Sequence, residues 1–192
     1  SFAIETAYLA GRTTLAYYQT GLRADLKADQ SPVTIADRQT EELIRSRIEK
    51  DYPGHAILGE EFGASESAGT SHRWLIDPID GTKSFIQGVP LYAVLIALEI
   101  EGQIDVGVAY FPALDEMLAA ATGLGCWWNG RPARVSTVAT LDKAVVTFTD
   151  VASFAEYGYA EAWERIKAAT YYRAGWGDAY GHALVATGRV EL

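Results

Sequence analysis

The spacing of apolar residues along the first fifty positions predicts two helices. In Phe2–Thr20, apolar side chains recur at helical intervals, and Gly21 is a natural C-terminal stop. An extended segment at Pro32–Asp37 leads into the second helix, which we expect to run from about Asp37 to Lys50. Pro53-Gly54 ends that helix.

Short apolar runs bounded by turn residues predict a series of strands farther along. Ala56–Leu58 reads as a buried strand that stops at Gly59-Glu60-Glu61, and the Gly- and Ser-rich run Phe62–Ser71 reads as a surface loop. Arg73–Ile76 is a second buried strand. Two strands at Tyr92–Ile100 and Ile104–Phe111 follow, joined by the hairpin signal Glu101-Gly102-Gln103. Glu116–Thr122 and Cys126–Trp128 read as a further pair, and the turn dipeptide Asn129-Gly130 comes directly after it.

The pattern changes after Leu141, where strands and helices alternate. Ala144–Thr149 and Tyr171-Tyr172 read as strands, Ser153–Ala169 as one amphipathic helix and Asp178–Thr187 as another that stops at Gly188. Such alternation is typical of an α/β layer. We therefore predict an N-terminal α+β lobe over residues 1–140 and the start of an incomplete α/β lobe over 141–192.

Composition says more about the possible binding partners than about the fold. With 49% hydrophobic residues in a chain of 192, there is enough apolar surface for a real core. The formal net charge of −9 disfavours nucleic acid and anionic membranes as partners. Cys126 is the only cysteine, so no intrachain disulfide is possible, as expected for a cytoplasmic protein.

The segment Asp77-Pro78-Ile79-Asp80 predicts a site for a hard cation. Pro78 pushes Asp77 towards an extended backbone, so the chain turns where the strand ends. Two carboxylates three residues apart across such a turn can converge, and the Ile79 carbonyl can add a neutral oxygen. Taken alone, the segment reads slightly better as a turn with solvated acids.

The next two residues shift that balance. Gly81 lets the backbone approach a ligand, and Thr82 offers a hydroxyl and an N–H. If a helix begins near Lys83-Ser84, its first amides form an anion site beside the cation. Metal carboxylates beside a phosphate cradle are what metal-assisted hydrolysis of a phosphate ester needs.

Other acids have simpler explanations that compete with a role in this site. Glu60 and Glu61 end a different strand, and two adjacent acids at a strand end are often just a solvated corner. Strand ends on one sheet edge are neighbours in space, however, so these acids could also complete the metal site. Asp37 reads first as a helix-starting acid. The three histidines, His55, His72 and His182, lack the spacing of a zinc site and are more simply surface or packing residues. Cys126 stands in an apolar stretch and is most simply a buried hydrophobic residue.

As an ordered set, four segments resemble the inositol monophosphatase superfamily. They are Val33–Asp37, Gly59-Glu60-Glu61, Asp77–Thr82 and Leu184–Gly188. They occur in family order and span essentially the whole chain. The resemblance implies a layered αβαβα sandwich, a homodimer, and a small phosphomonoester as substrate.

The resemblance also implies roles for individual residues. Mg²⁺, as two or three ions, would be held by Glu60, Asp77, the Ile79 carbonyl and Asp80. Gly81 and Thr82 would contact phosphate. Asp37, Glu60 and Thr82 would orient and deprotonate the attacking water, with Glu61 in support.

One departure concerns the C terminus. The family carries a further metal-binding aspartate in a Trp-Asp motif beyond the segment that ends here, and Asp178 cannot replace it because Asp178 precedes Ala186-Thr187-Gly188. We expect the chain to be cut short at both ends, because it opens without Met and ends within the strand-like run Val190–Leu192.

Two features resemble the histidinol-phosphate phosphatase branch of the superfamily. They are Lys83-Ser84-Phe85 after the phosphate motif and Trp176–Tyr180 farther along. A carboxylate at Asp178 would favour a substrate that carries an ammonium group, although Asp178 reads equally well as a helix cap. The alternatives are an inositol monophosphatase or broad-specificity phosphatase of the same fold, and an inactive family member that acts as a binding protein. A haloacid-dehalogenase-type phosphatase is disfavoured, since its two aspartates stand two positions apart and not three.

Overall fold

The computed structural model describes residues 1–27, 32–65, 67 and 69–192. Two helices pack together over one face of a large sheet, α1 (Phe2–Leu15) and α2 (Ile35–Asp51). The helix predicted to reach Thr20 ends at Leu15, because Tyr18 leaves the helical path to pack its ring against Phe85 and Tyr92. Short hydrogen-bonded turns follow as far as Thr20.

The start of α2 also differs from the prediction. The helix begins at Ile35, two residues before Asp37, and Thr34 is its N-cap. The Thr34 hydroxyl accepts a hydrogen bond from the Ala36 amide, while the Asp37 carboxylate accepts one from the Thr34 amide. This reciprocal pair is a capping box with aspartate in place of the more usual glutamate.

Strands in the described part of the chain build one mixed eight-stranded sheet. Its order is β10-β9-β8-β7-β6-β5-β3-β4. The parallel pair is β3 (Ala56–Gly59) beside β5 (His72–Asp80), and the other neighbours are antiparallel. The remaining members are β4 (Gly63–Ser65), β6 (Ala93–Ile100), β7 (Gln103–Phe111), β8 (Glu116–Ala121), β9 (Gly125–Trp128) and β10 (Arg131–Pro132). A separate short pair precedes α2, β1 (Asp25–Leu26) and β2 (Pro32–Val33).

The turn chemistry of this sheet follows the sequence in most places. Glu101-Gly102 and Asn129-Gly130 both have positive φ at each position, as two-residue hairpin turns require. The predicted loop Phe62–Ser71 is wrong in part, because Gly63–Ser65 pairs with β3 as an edge strand. Glu66 and Ala68 of that predicted loop lie outside the described residues.

The helix α6 (Asp178–Ala186) covers part of the sheet's other face. Its Ala183 packs in one buried cluster with Ala93, Phe111 and Leu118. Behind α6 lies a two-stranded parallel sheet of β11 (Val145–Thr147) and β12 (Tyr172–Ala174). The predicted helix 153–169 is two helices, α4 (Val151–Glu156) and α5 (Ala160–Ala169), since Gly158 takes a positive φ between them.

These elements form five layers in the order helix, sheet, helix, sheet, helix. The Trp163 ring of α5 contacts Phe148 after β11, whereas Gly181 of α6 lies against Thr147 on the opposite side of that small sheet. The predicted αβαβα sandwich is therefore confirmed. Within the described ranges, no helix is long and apolar enough to cross a membrane.

Candidate active site

The parallel pairing of β3 with β5 brings the two acidic motifs together. Gly59 pairs with Ile76 in register, and the Glu60 amide donates to the Ile76 carbonyl at 3.1 Å. Glu60 therefore follows one strand at the level where Asp77 continues the other. The expectation that these strand ends are spatial neighbours is met.

The predicted sharp turn after Ile76 is instead a bulge within β5. The strand continues to Asp80, and its pairing with β6 shifts register between Asp77 and Asp80. The Asp77 carboxylate accepts the Ile79 amide at 3.1 Å. Burial, followed by the nearby Glu60 and Asp80 carboxylates, raises the pKa of Asp77 to about 9.

The Asp80 carboxylate is held by the second layer of helices. Its Oδ2 accepts a hydrogen bond from the Ala179 amide at the start of α6, at 2.7 Å. Burial raises the pKa of Asp80, with Asp178 and Glu60 adding repulsion, and the Ala179 bond only partly offsets this. Asp80 therefore ties the N-terminal sheet to α6, which lies 99 residues on in sequence.

Thr82 and Asp37 face each other across the site. The Thr82 hydroxyl lies 3.1 Å from the Ile79 carbonyl and 3.4 Å from Asp37 Oδ1. Asp37 is fully buried, and its other oxygen accepts both the Thr34 amide at 2.8 Å and the Thr34 hydroxyl at 2.6 Å. Burial raises the pKa of Asp37 despite these bonds. Asp37 thus caps α2 and also points an oxygen at the site.

The Gly81 position favours glycine. Its φ is +84°, and an added Cβ would lie 3.0 Å from Asp178 Oδ2 and 3.5 Å from the Tyr92 Cα. The helix predicted near Lys83-Ser84 starts one residue earlier, as α3 (Thr82–Ile86) with Gly81 as its N-cap. The turn thus exposes its backbone where a ligand can approach.

A lysine that sequence reasoning did not single out reaches this site. The Lys27 ammonium donates to Glu60 at 2.8 Å and to Glu61 at 2.6 Å. Burial works against its charge, but the two hydrogen bonds outweigh burial and raise the pKa of Lys27. The Glu61 side chain is 5% exposed and that of Glu60 is 42% exposed, so Glu60 remains open to a ligand.

The donors suit a hard divalent cation. They are carboxylates and one carbonyl, the ligands that Mg²⁺ prefers. Burial, and after it the neighbouring Glu60 and Asp80 carboxylates, raise the pKa of Asp77, and a bound cation would oppose both effects. In the described residues no three acidic, histidine or cysteine side chains form a closed ligand set. Glu60 would have to release Lys27 to join Asp77 and Asp80.

Asp178 lines the same cavity as the phosphate motif, with its Oδ2 close to Gly81. The cavity has a volume of about 530 Å³ and is lined by Glu60, Gly81, Thr82, Lys83, Asp150 and Asp178, among others. Asp178 has a positive φ of 55°, and its amide donates to the Thr149 hydroxyl at 2.8 Å. The N-cap of α6 is Gly177 and Asp178 is the first residue of the helix, so the interpretation of Asp178 as the cap is wrong.

Asp150 is a second acid in this cavity, and the sequence did not mark it. It caps α4 by accepting the Ala152 amide at 2.9 Å. Nothing in its local sequence could have placed it beside Asp178. The pairing of β11 with β12 creates that proximity, since Thr149 and Gly175 follow the two strands into the same cavity.

The histidines lie apart from the acidic motifs or outside any ligand cluster. His55 accepts a hydrogen bond from the Trp74 indole at 3.1 Å and stacks on His72, at the opposite end of β5 from Asp80. His182 lies on α6 in a small cavity that Thr147 and Asp178 also line. Packing explains His55 and His72, as the sequence suggested.

Carboxylates at two adjacent strand ends, beside a glycine turn and a threonine hydroxyl that faces Asp37, are an arrangement typical of a metal-dependent phosphate-ester hydrolase. Similarity to known proteins agrees with that class. The model of the inositol monophosphatase family matches residues 1–192, and the chain belongs to this family, whose members are metal-dependent phosphomonoesterases.

Individual relatives refine the comparison. A histidinol-phosphatase of Chlorobaculum parvum is 45% identical over 191 residues, which cover 99% of this chain and 73% of the relative. A histidinol-phosphatase of Mycobacterium tuberculosis is 41% identical over 176 residues, 89% of this chain and 67% of the relative. The structure of a Thermotoga maritima IMPase superimposes with a TM-score of 0.89 at 30% identity, covering 98% of this chain and 72% of that one.

Proposed function

We propose that this protein is a Mg²⁺-dependent phosphatase that hydrolyses L-histidinol phosphate to L-histidinol and phosphate, as a step of histidine biosynthesis. The observation that carries the proposal is the cavity that Glu60, Gly81 and Thr82 line together with Asp150 and Asp178. One end suits a metal-bound phosphate, and the other suits a cationic leaving group. The two histidinol-phosphatases at 45% and 41% identity support the same substrate.

At the phosphate end, the cation would be held by Glu60, Asp77, Asp80 and the Ile79 carbonyl. We expect two or three Mg²⁺ ions, and these would supply polarisation of the ester and a lower pKa for the attacking water. The Gly81 backbone and Thr82 would hold phosphate oxygens at the start of α3. The left-handed Gly81 backbone permits that close approach.

Thr82 and Asp37 would position and deprotonate the attacking water. The Thr82 hydroxyl has one hydrogen, which it can donate to Asp37 or to the Ile79 carbonyl, so its lone pairs remain open to accept from water. The raised pKa of Asp37 makes it a stronger base than a solvated aspartate. Glu60 would orient the same water, and Glu61 would support Glu60 from its more buried position.

At the leaving-group end, Asp178 would bind the ammonium of histidinol phosphate. Its Oδ2 lies beside Gly81, so a carboxylate stands next to the proposed phosphate position. Lys83 is close enough to act on the charge of Asp178. A charge-assisted hydrogen bond to an ammonium is stronger than one to a neutral hydroxyl. Inositol phosphate carries no such cation.

Phosphate release from histidinol phosphate and from inositol 1-phosphate, each with Mg²⁺ and with a chelator, tests the proposal in the full-length protein. We expect release that needs Mg²⁺ and a higher kcat/KM for histidinol phosphate. A higher kcat/KM for inositol phosphate would favour the alternative, which the IMPase of similar structure supports. Failure to release phosphate from any phosphomonoester would leave only a binding role.

Asp178→Asn tests the leaving-group end directly. Loss of the carboxylate should lower kcat/KM for histidinol phosphate about 10-fold or more, the range of one charge-assisted hydrogen bond, and should change that for inositol phosphate little. Asp51→Asn, an exposed acid at the end of α2, is the matched control. An equal loss with both substrates would remove Asp178 from substrate recognition.

We further propose a cytoplasmic homodimer whose partners are small phosphomonoesters and neither nucleic acid nor membrane. The family relationship supports the dimer. The net charge of −9 argues against nucleic acid and anionic membranes as partners. Sedimentation velocity should give the mass of two chains, and a monomer at micromolar concentration would contradict the assembly. Cell fractionation would test the compartment.

A further inference from the structure

An acid outside the proposed ligand set is fully buried beneath the metal site. Glu41 lies on α2 one helical turn after Asp37 and is 0% exposed. Its Oε1 accepts a hydrogen bond from Arg45 Nε at 2.7 Å, also on α2. A buried carboxylate needs a counter-charge and hydrogen bonds, and Arg45 supplies only part of that need.

The remaining hydrogen bonds of Glu41 go to the turn that carries Glu60 and Glu61. Glu41 Oε2 accepts the Glu61 amide at 2.7 Å, and Oε1 accepts the Phe62 amide at 3.2 Å. The Arg45 guanidinium completes the clamp by donating to the Gly63 carbonyl. The pair therefore binds backbone donors and an acceptor of the single turn between β3 and β4.

The strand before this turn is shaped for the carboxylate. A Cβ at Gly59 would lie 1.9 Å from Glu41 Oε1 and 2.4 Å from its carboxyl carbon. The φ of Gly59 is not in the left-handed region, so backbone conformation does not demand glycine there. Glycine is needed there because a side chain would overlap the Glu41 carboxylate. Glu41 and Gly59 are thus fitted to each other.

We propose that Glu41 is a positioning residue for the metal site. This proposal rests on the proposed function. One helix, α2, then fixes two parts of the site: Asp37 directly, and the Glu60-Glu61 turn through Glu41. A buried ion pair is often no more stabilising than an apolar pair of similar size. An apolar pair could not hold the Glu61 and Phe62 amides, and such hydrogen bonds behind metal ligands set their orientation.

Glu41→Gln tests the proposal by titrating Mg²⁺ and Mn²⁺ calorimetrically into the substrate-free, full-length protein. Glutamine keeps the size but presents an NH₂ group to donors, so one turn amide or Arg45 loses its acceptor. We expect metal affinity to fall about 10-fold or more. The exposed neighbour Glu42→Gln should bind metal as the unmodified protein does.

Arg45→Met separates positioning from stability. It removes the counter-charge and the bond to the Gly63 carbonyl, which lies after Glu60 and Glu61, but leaves the Glu41 bonds to the Glu61 and Phe62 amides. We therefore expect a lower Tm and a smaller loss of metal affinity than in Glu41→Gln. Should Glu41→Gln not fold, Glu41→Asp keeps the charge but withdraws it by one methylene, and the same loss of affinity is expected.

Two results would overturn the proposal. One is unchanged metal affinity in whichever Glu41 variant folds; the other is an affinity loss in Arg45→Met as large as that in the Glu41 variant. An unmodified protein that neither binds metal nor releases phosphate would instead refute the proposed function, and the role of Glu41 with it.

Discussion

At the scale of single residues, the site holds aspartates whose ionised form the fold by itself does not favour. Asp37 is fully buried and Asp77 and Asp80 are partly buried, and desolvation raises the pKa of all three. Unlike Glu41, Asp77 and Asp80 have no arginine or lysine within salt-bridge distance in the described residues. Residues kept at a cost to stability are expected at a functional site.

Asp80→Asn should abolish turnover without loss of fold. Asparagine can still accept the Ala179 amide, and removing a desolvated charge should leave the free energy of unfolding of the metal-free protein unchanged or increased. We expect kcat to fall by about 100-fold or more, a typical cost of losing a metal ligand or its support. Phosphate release and thermal unfolding measure the two effects, with the exposed Asp142→Asn as control. Retained turnover would refute the metal role of Asp80.

Lys27→Met should tighten binding of the first divalent cation. The Lys27 ammonium occupies Glu60 and Glu61, so an incoming cation must compete with it. We expect the Kd for Mg²⁺ to fall by about 5-fold, since a partly exposed ion pair contributes about 1 kcal/mol. Calorimetric titration of the substrate-free protein measures this, and Lys50→Met, on an exposed part of α2, is the control. Weaker binding would mean that Lys27 supports the ligands rather than blocking them.

At the scale of elements, local pattern predicted most strands and both hairpin turns, and it was wrong where tertiary contacts decide the outcome. Nothing local marks where α1 ends, because Tyr18 leaves it to pack on Phe85. Gly63–Ser65 is too short and too polar to read as a strand, and pairing with β3 makes it one. The acidic motifs were recognisable from the sequence because their acids stand beside glycine and proline at the ends of short apolar runs. The approach of Lys27, Asp150 and Glu41 was not, since each comes from a distant element.

The turn that ends α6 should be sensitive to a side chain. Gly188 has φ +70°, and a Cβ there would lie 2.7 Å from the Arg134 carbonyl and 2.9 Å from the Ser136 amide. Gly130 has φ +75° but open space around it. Gly130→Ala should therefore cost about 1 kcal/mol from backbone strain alone, and Gly188→Ala about 3 kcal/mol because it also clashes with backbone. Urea denaturation compares them, and equal costs would mean that the 134–136 segment moves aside freely.

At the scale of the whole molecule, the site stands on an acidic protein that would repel a phosphate ester. The formal net charge is −9, and the acids of the site add to that field locally. A bound divalent cation reverses the sign of the potential where phosphate must approach. The overall charge and an anionic substrate are therefore compatible only through the metal.

Metal and pH should act together on stability. Asp77 binds a proton more tightly in the folded protein than its unfolded pKa of about 4 allows. Its contribution to stability is therefore full below that pKa and is lost as the pH rises towards about 9. We expect the metal-free Tm to fall between about pH 5 and about pH 9, and Asp77→Asn to reduce that fall.

Mg²⁺ should oppose the loss at high pH. At about 100 times its Kd it should add about 2.7 kcal/mol to the free energy of unfolding, and more at high pH, where the carboxylates are free of protons. Thermal unfolding with Mg²⁺ and with a chelator at each pH measures both effects. A metal-dependent gain that is larger at low pH would contradict this account of Asp77.

Because the Ala179 amide donates a hydrogen bond to Asp80, metal binding at the site should be detectable at that amide. A cation that draws on Asp80 changes the acceptor that α6 depends on for its first turn, and by reciprocity the seating of α6 alters the affinity for the cation. Solvent exchange of that one amide proton thus becomes a native reporter of metal loading. No label, substrate or turnover is needed to read it.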